Sequence, residues 1–487
     1  MIEPIEEIRE ALDRGDHPTA HDLARSALAR TPDDPWILAE LARAMAGMTG
    51  GASGMPLLER ARDLVADDAQ ATVEIGMQLA QVASNEGDLE GALAILDPLS
   101  SKVSGERARK IRTRRIQALI GLGRLEEARA AVGEALRTGL PGDRVQCLLA
   151  EVEAADGDHE RARGRLEPIV GNQSANPRTR SYLAFLLSRI CDRLGDYDAA
   201  FEHATLGNRL AEVEFDPVAF EAETDAIVER FQRSADLPRV ERDSGERTVL
   251  IVGMPRSGTT LLEQIVSAHP AGAGLGERGE LGMFLRLLEH RTGRPHPACL
   301  LRARTEDLEE FATGYRAMER RLAPDARRVT NKALGLDRIL GFASMVLPRS
   351  RAIVIRREPL DNLLSIYLNP LAAWQFPWAC SLEGVVVARR RFDRLTRHWI
   401  ETLDLPILEA DYETLASRPT EEIPTILKFL DLPFDQSAID FHRSGRTVMT
   451  PSRDQVRRPM NREGIERWRR YERHLGPLLA AFPPTSD

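Results

Sequence analysis

Apolar and polar positions along the first half of the chain follow a repeated unit. Five segments share a glycine at a turn, a short polar stretch and, five residues on, an alanine that opens an amphipathic helix. They are "GDHPTA" from Gly15, "GDLEGA" from Gly87, "GRLEEA" from Gly123, "GDHERA" from Gly157 and "GDYDAA" from Gly195. The glycines lie 72, 36, 34 and 38 residues apart, so the first gap holds two periods and a degenerate unit is expected near "MTGGASGMPLLERA". Apolar residues three and four apart supply each buried stripe, and the small Ala20, Ala92, Ala128, Ala162 and Ala200 let paired helices approach closely. The pattern changes after residue 213. "EFDPVAFEAETDAIVERFQRSADLP" reads as a bridging helix and "ERDSGER" as a polar linker, together covering 214–246. From 247 on, "RTVLIVG" is an apolar β-rich run, "TTLLEQIVSAH" has helical spacing, and "RRVTN" and "RAIVI" read as further strands.

A period near 34 residues with helix–turn–helix chemistry resembles tetratricopeptide repeats, which implies an all-α superhelix over residues 1–213. Such arrays present a concave groove for peptide segments or partner proteins; packing against the chain's own catalytic domain is the equal alternative. At 487 residues the chain exceeds the roughly 250–300 residues at which single cores stop growing, so more than one domain is expected. No apolar run approaches bilayer-spanning length and the start "MIEPIEEIRE" is acidic, which makes the cytoplasm the expected compartment and a membrane role unexpected. Cys147, Cys191, Cys299 and Cys380 have neither zinc nor disulfide-framework spacing and are expected to be reduced.

Charge is distributed unevenly. Residues 1–250 hold 45 Asp and Glu against 31 Lys and Arg (−14), whereas residues 251–487 hold 30 against 35 (+5). An excess of cations in the second half fits an anionic ligand there, while the acidic whole argues against nucleic acid. The run "RRR" at 389–391 is expected to be a solvated helix face.

The chemistry concentrates at "GMPRSGTTLLEQ", residues 253–264, where strand, glycine-rich loop and helix follow in the order of a phosphate-binding loop. Thr259 stands where that motif has lysine. Backbone N–H groups around Gly253, Ser257 and Gly258 would converge on an anion, Thr259 and Thr260 add hydroxyl donors, and Arg256 is the loop's one cationic side chain. The strand "RAIVI" ends in "RREP" and not in an acid that would position magnesium. Both features argue against hydrolysis of a nucleoside triphosphate and favour a phosphosulfate, with no metal expected.

"PRSGTTLLEQIVSAHP" resembles the 5′-phosphosulfate loop of sulfotransferases, and most nearly that of tyrosylprotein sulfotransferases and of bacterial proteins joining tetratricopeptide repeats to a sulfotransferase domain. The resemblance implies a parallel α/β sheet of the P-loop kind over 247–487 and 3′-phosphoadenosine 5′-phosphosulfate as donor. It also implies the site. Arg256, Ser257, Gly258, Thr259 and Thr260 would surround the 5′-phosphosulfate, and Arg357 with Ser365, eight residues apart in "RREPLDNLLS", would take the 3′-phosphate. Glu358 replaces the family's usual aspartate there. Glu277 in "GLGERGEL" is 21 residues after Arg256, the family's offset for its catalytic glutamate, with Glu280 as competitor. Lys332 in "TNKAL" matches a lysine near the bridging oxygen, Tyr412 an aromatic beside the adenine, and Ser452 and Arg467 belong to a stretch resembling the loop that closes over the donor.

The expected function is therefore sulfuryl transfer to an acceptor hydroxyl, with a peptide tyrosine held by the repeat groove as one candidate and a saccharide, lipid or small phenol as others. Trp374, Phe376 and Trp378 would line the acceptor cleft or form an interface between protomers. The rivals are a phosphoryl-transferring kinase on the same sheet and a repeat scaffold with a nucleotide-sensing domain. His269 is expected to pack or cap rather than act as a base.

Overall fold

A computed structural model of the chain describes residues 4–49, 52–232, 237–240, 244–443 and 462–484. The chain divides into two compact units, Met1–Glu212 and Val213–Asp487.

In the first unit the described residues form twelve α-helices, α1 (Pro4–Asp13) to α12 (Tyr197–Arg209), each packed on the next. The repeated glycine and the residue after it explain the joints. Gly87 ends α5 (Ala69–Glu86) at φ 90°, a left-handed conformation that glycine adopts without cost, and its N–H closes the last turn. Asp88 then caps α6 (Leu89–Ser100) by accepting from the Gly91 N–H. Asp158 and Asp196 cap α10 (His159–Gly171) and α12 in the same way, whereas Arg124 at the equivalent step provides no side-chain cap. Ala20, Ala92, Ala128, Ala162 and Ala200 are fully buried. The degenerate unit is also a helix pair, α3 (Pro35–Thr49) and α4 (Met55–Leu64), with Ala61 buried in the alanine's role. Six tetratricopeptide-like pairs follow from one local rule.

The second unit begins with α13 (Pro217–Phe231). Its sheet has five parallel strands in the order β2-β3-β1-β4-β5: β1 (Thr248–Val252), β2 (Gly272–Gly274), β3 (Arg328–Asn331), β4 (Arg351–Arg356) and β5 (Ile407–Asp411). The connecting helices are α14 (Thr259–Ala268), α15 (Glu280–Thr292), α16 (Thr305–Leu322), α17 (Leu336–Val346), α18 (Pro359–Tyr367) and α19 (Leu382–Thr402). Every residue of the central β1 is buried, which is why "TVLIV" is apolar throughout instead of alternating. Val249 and Ile251 pack with Ile353, Ile355, Leu262 and Ile265 into the main core.

Helix α13, expected as a bridge, packs within the second unit: Phe231 meets Trp399 of α19 edge-on at 4.9 Å. The "RRR" run is not a solvated face. Arg389 and Arg391 are buried, because Asp393 and the Arg357 carbonyl take the first and Glu223 of α13 takes the second; only Arg390 is exposed. Cys147, Cys191 and Cys299 are free and buried, and Cys380 is free and half-buried. Among the described residues no helix is long and apolar enough to cross a membrane.

Glu319 of α16 lies buried beneath the sheet, accepting a hydrogen bond of 2.7 Å from the Thr248 hydroxyl. Burial pushes its pKa up to about 7, against the opposing effects of Thr248, Arg247 and Arg320. Between the ordinary value of 4.5 and about 7 the folded state binds the extra proton, so this group's contribution to stability falls as pH rises through that window. Glu319→Gln is expected to raise the melting temperature at pH 8 through relief of about 3 kcal/mol, and to leave it nearly unchanged at pH 4.5. Thermal melts at the two pH values check this; an equal shift at both would assign the effect to packing.

Candidate active site

Five sequence-selected side chains follow the five strands at the carboxyl edge of the sheet: Arg256 after β1, Glu277 after β2, Lys332 after β3, Arg357 after β4 and Tyr412 after β5. In open parallel sheets this edge is where ligands bind.

The loop 253–258 turns from β1 into α14 through two left-handed residues, Arg256 at φ 66° and Gly258 at φ 102°. A Cβ on Gly258 would lie 2.6 Å from the Tyr412 ring, so close approach demands glycine there as well. Arg256, a non-glycine in that region, is held by its neighbours: its Nε donates to Ser365 Oγ at 3.1 Å, and its carbonyl accepts from Arg357 Nη1 at 2.9 Å. Asn362, fully buried on α18, fixes the preceding turn by donating to the Pro255 carbonyl at 2.8 Å. Thr259 and Thr260 are buried in the first turn of α14.

Arg357 joins three parts of the site. Besides Arg256 it reaches the Gly464 carbonyl with Nη2 at 2.6 Å, and its guanidinium stands 4.8 Å from the centre of the Tyr412 ring. Its Nε, like Ser257 Oγ in the loop, is buried without a hydrogen-bond partner among the described residues. Asp361 of α18 accepts from the Glu466 and Trp468 N–H groups at 2.7 and 2.8 Å, which fixes the backbone on either side of Arg467. Burial, then Arg357 and Arg467, lower the Arg256 pKa to about 10. Cations gathered this way repel one another until an anion arrives, and unpaired buried donors are costly until something accepts from them.

Glu358, the departure from the family pattern, caps α18 by accepting from the Leu360 and Asp361 N–H groups at 3.0 and 2.7 Å, so the extra methylene is accommodated. Ser452 lies outside the described residues.

On the other side of β1, Lys332 is buried and its Nζ contacts Glu277 Oε1 at 2.9 Å; the Glu277 side chain remains 42% exposed. Glu280, the competing carboxylate, is buried at the start of α15 against Arg278, 3.2 Å away. Two residues outside the sequence selection hold the Glu277 loop. Asn331 Nδ2 donates to the Arg278 carbonyl and to Tyr315 Oη, both at 3.0 Å, and Glu263 of α14 accepts from the Gly276 N–H at 2.8 Å. Asn331 directly precedes Lys332 in "TNKAL", and that adjacency is the one signal the sequence offers for it; Asp361 and Asn362 lie between Arg357 and Ser365 in "REPLDNLLS" without a signal of their own. His269 caps α14, with its ring between the Ala271 N–H and the Pro433 carbonyl. Among the described residues no group of three or more His, Cys, Asp or Glu is placed to hold a metal ion.

Beside the loop opens a cleft of about 690 Å³, floored by Met254 and Pro255 and bordered by Trp374, Phe376 and Trp378. The last two rings meet edge-on at 5.8 Å, and Trp374 is 68% exposed.

Residues 248–436 match the model of a sulfotransferase family. An uncharacterized protein of Aquifex aeolicus is 26% identical over 379 residues, which cover 75% of this chain and 49% of that protein. Protein-tyrosine sulfotransferase 1 of Danio rerio is 22% identical over 232 residues, 45% of this chain and 65% of that protein. The chain thus spans about half and about two thirds, respectively, of the length of these relatives. Among solved structures, the sulfotransferase domain of the Synechococcus PCC 7002 olefin synthase aligns at 17% identity with a TM-score of 0.31, covering 48% of this chain and 91% of that domain. The type IV pilus biogenesis factor PilW aligns at 14% identity with a TM-score of 0.33, covering 43% of this chain and 94% of its own.

Proposed function

We propose that this chain, whose residues 248–436 form a sulfotransferase-family domain, moves a sulfuryl group from 3′-phosphoadenosine 5′-phosphosulfate to an acceptor hydroxyl. The observation that carries the reading is the loop without its lysine, ringed instead by Arg256, Arg357 and Arg467, with Ser257 Oγ and Arg357 Nε buried without a hydrogen-bond partner among the described residues. The donor supplies an electrophilic sulfur and a bisphosphate leaving group. Loop amides, Arg256, Thr259 and Thr260 would hold its 5′ end, Arg357 and Ser365 its 3′-phosphate, and Tyr412 its base, with Arg467 at the closing segment.

Glu277 is the base in this reading. Its exposed carboxylate accepts the acceptor's proton as the acceptor oxygen bonds to sulfur and the sulfur–oxygen bond to the phosphate breaks; the products are a sulfate monoester and 3′,5′-bisphosphate. Protonation of Glu277 neutralises the partner of Lys332, and the buried ammonium then turns to the negative charge growing on the departing oxygen. The ion pair would thus couple the two halves of the transfer. Glu280 is already committed to Arg278 and is buried, which makes it the weaker candidate. The acceptor is placed in the cleft beside Met254 and Pro255, and a phenolic hydroxyl such as a peptide tyrosine is the class suggested by the Danio rerio relative's name.

Calorimetric titration with 3′-phosphoadenosine 5′-phosphate and with ATP, each with and without magnesium, tests the donor. Metal-independent binding of the bisphosphate at least about tenfold tighter than ATP is expected. Preference for ATP with magnesium would replace this reading by the kinase one.

A further inference from the structure

The family match begins at residue 248, yet the acceptor cleft has a wall that precedes it. Phe215, Phe220 and Glu223, at the start of α13 and just before it, line the cleft together with Trp374 and Phe376. This wall is anchored to the catalytic unit along one stripe of α13. Thr224, Ile227 and Phe231 pack inward, with Phe231 against Trp399. Beside them on the same stripe one carboxylate is shared by two guanidinium groups from different helices. Glu223 Oε1 takes Arg338 of α17 at 2.6 Å, and Glu223 Oε2 takes Arg391 of α19 at 3.1 Å. Arg391 also places its guanidinium 4.1 Å from the centre of the Phe220 ring, and Phe215 meets that ring edge-on at 5.2 Å. A cation on one face of Phe220 and a second ring at its edge leave little freedom to turn.

We propose that α13 is the acceptor-selecting wall of the cleft, with Phe220 as a specificity-determining residue. The occupant is a planar aryl hydroxyl lying between Phe220 and the aromatic border at Trp374. This rests on the sulfuryl-transfer reading above, in which the cleft holds the acceptor. Three observations point to that class. The cleft of about 690 Å³ suits a compact organic group. Its lining includes the rings of Phe215, Phe220, Trp374, Phe376 and Trp378, and rings gain from offset or edge contacts that an aliphatic chain or a sugar does not match. Trp374 is 68% exposed, an aromatic face on the cleft left without cover. The shared carboxylate adds rigidity: Arg391, 6% exposed, cannot leave Glu223 without stranding a buried charge, so α13 is held to α19.

The test uses the full-length chain, saturated with 3′,5′-bisphosphate, and follows fluorescence titrations with phenol, 2-naphthol and 1-hydroxypyrene. The wild type is expected to bind 2-naphthol. Phe220→Ala should weaken 2-naphthol about tenfold and shift the ratio of affinities toward the wider 1-hydroxypyrene at least fivefold, and Phe220→Trp should shift that ratio the other way. Asp225→Ala removes a 2.6 Å ion pair to Arg394 on an exposed part of α13 away from the cleft, and should leave the ratio unchanged. Bisphosphate affinity should be the same in all four proteins. A uniform loss for every aryl hydroxyl, an unshifted ratio in both Phe220 variants, or no aryl binding by a wild type that binds the bisphosphate would each overturn the inference. A wild type that fails to bind the bisphosphate would instead overturn the donor reading, and the inference with it.

Discussion

Glu277→Gln is expected to lower kcat by about 10²–10⁴-fold, the range of a lost general base, with bisphosphate affinity unchanged. The substitution is nearly isosteric. Glutamine retains an oxygen that can accept from Lys332 Nζ, now 2.9 Å from Glu277 Oε1, so the β2 and β3 ends stay joined and only basicity is removed. Glu277 is exposed, on a loop held by Asn331 and Glu263, so the loop stays in place without its charge; the buried Lys332 ammonium loses its counter-charge, and a modest fall in melting temperature is expected alongside the loss of kcat. Glu280→Gln makes the contrast. That carboxylate is buried 3.2 Å from Arg278, so its neutralisation removes a buried ion pair and should lower stability while leaving kcat of the folded fraction within a few fold. Initial rates with sulfur-labelled donor and thermal melts on both variants decide the matter. Full activity in Glu277→Gln with loss in Glu280→Gln would move the base to Glu280 and remove the proposed coupling to Lys332.

What was legible in the sequence was local. The glycine–aspartate step is one, because a left-handed C-cap and an Asp N-cap act within a few residues of each other, so the helix pairs announce themselves at each joint. The loop after β1 is another, since strand, turn and helix are consecutive. Partners distant in sequence were not legible. Nothing near Glu223 indicates that it binds Arg338 and Arg391, 115 and 168 positions away, so α13 read as a bridge and Arg389–Arg391 as a solvated face. Asp361 likewise looks like an ordinary first-turn acid on a helix, and its work is to hold backbone more than a hundred residues on. Asn331 carries no motif of its own, although it ties the Glu277 loop to Tyr315 beneath Lys332. In each case the missing information is a long-range pairing that only the packed sheet brings about.

Two adjacent arginines give the second large effect. Arg357→Lys should weaken bisphosphate binding by about 10–100-fold, whereas Arg356→Lys should leave it within about twofold and lower the melting temperature instead. The two are neighbours of one residue type, told apart in the sequence only by the spacing to Ser365, and the end of β4 at Arg356 sends them to opposite tasks. Arg356 is fully engaged inside the protein: Asp393 at 2.9 Å, Glu409 and Thr396 at 3.0 Å, and the Phe392 ring at 5.7 Å. Its charge is neutralised, and it ties β4 to β5 and α19. Among the described residues the hydrogen bonds of Arg357 go to the carbonyls of Arg256 and Gly464 and its guanidinium faces the Tyr412 ring, while Asp361, Glu358 and Glu413 feel its charge without hydrogen-bonding to it. A guanidinium with no hydrogen-bonded carboxylate among those residues, which helps hold down the pKa of Arg256, gains most from an incoming phosphate. Lysine keeps the charge but, with a single ammonium, cannot hold both carbonyls and still offer a donor at the position of Nε, which has no acceptor among the described residues. Calorimetry of the bisphosphate against both variants measures the difference directly; equal losses of affinity would mean that the anion is read by net charge alone and that the geometry around Arg357 contributes nothing.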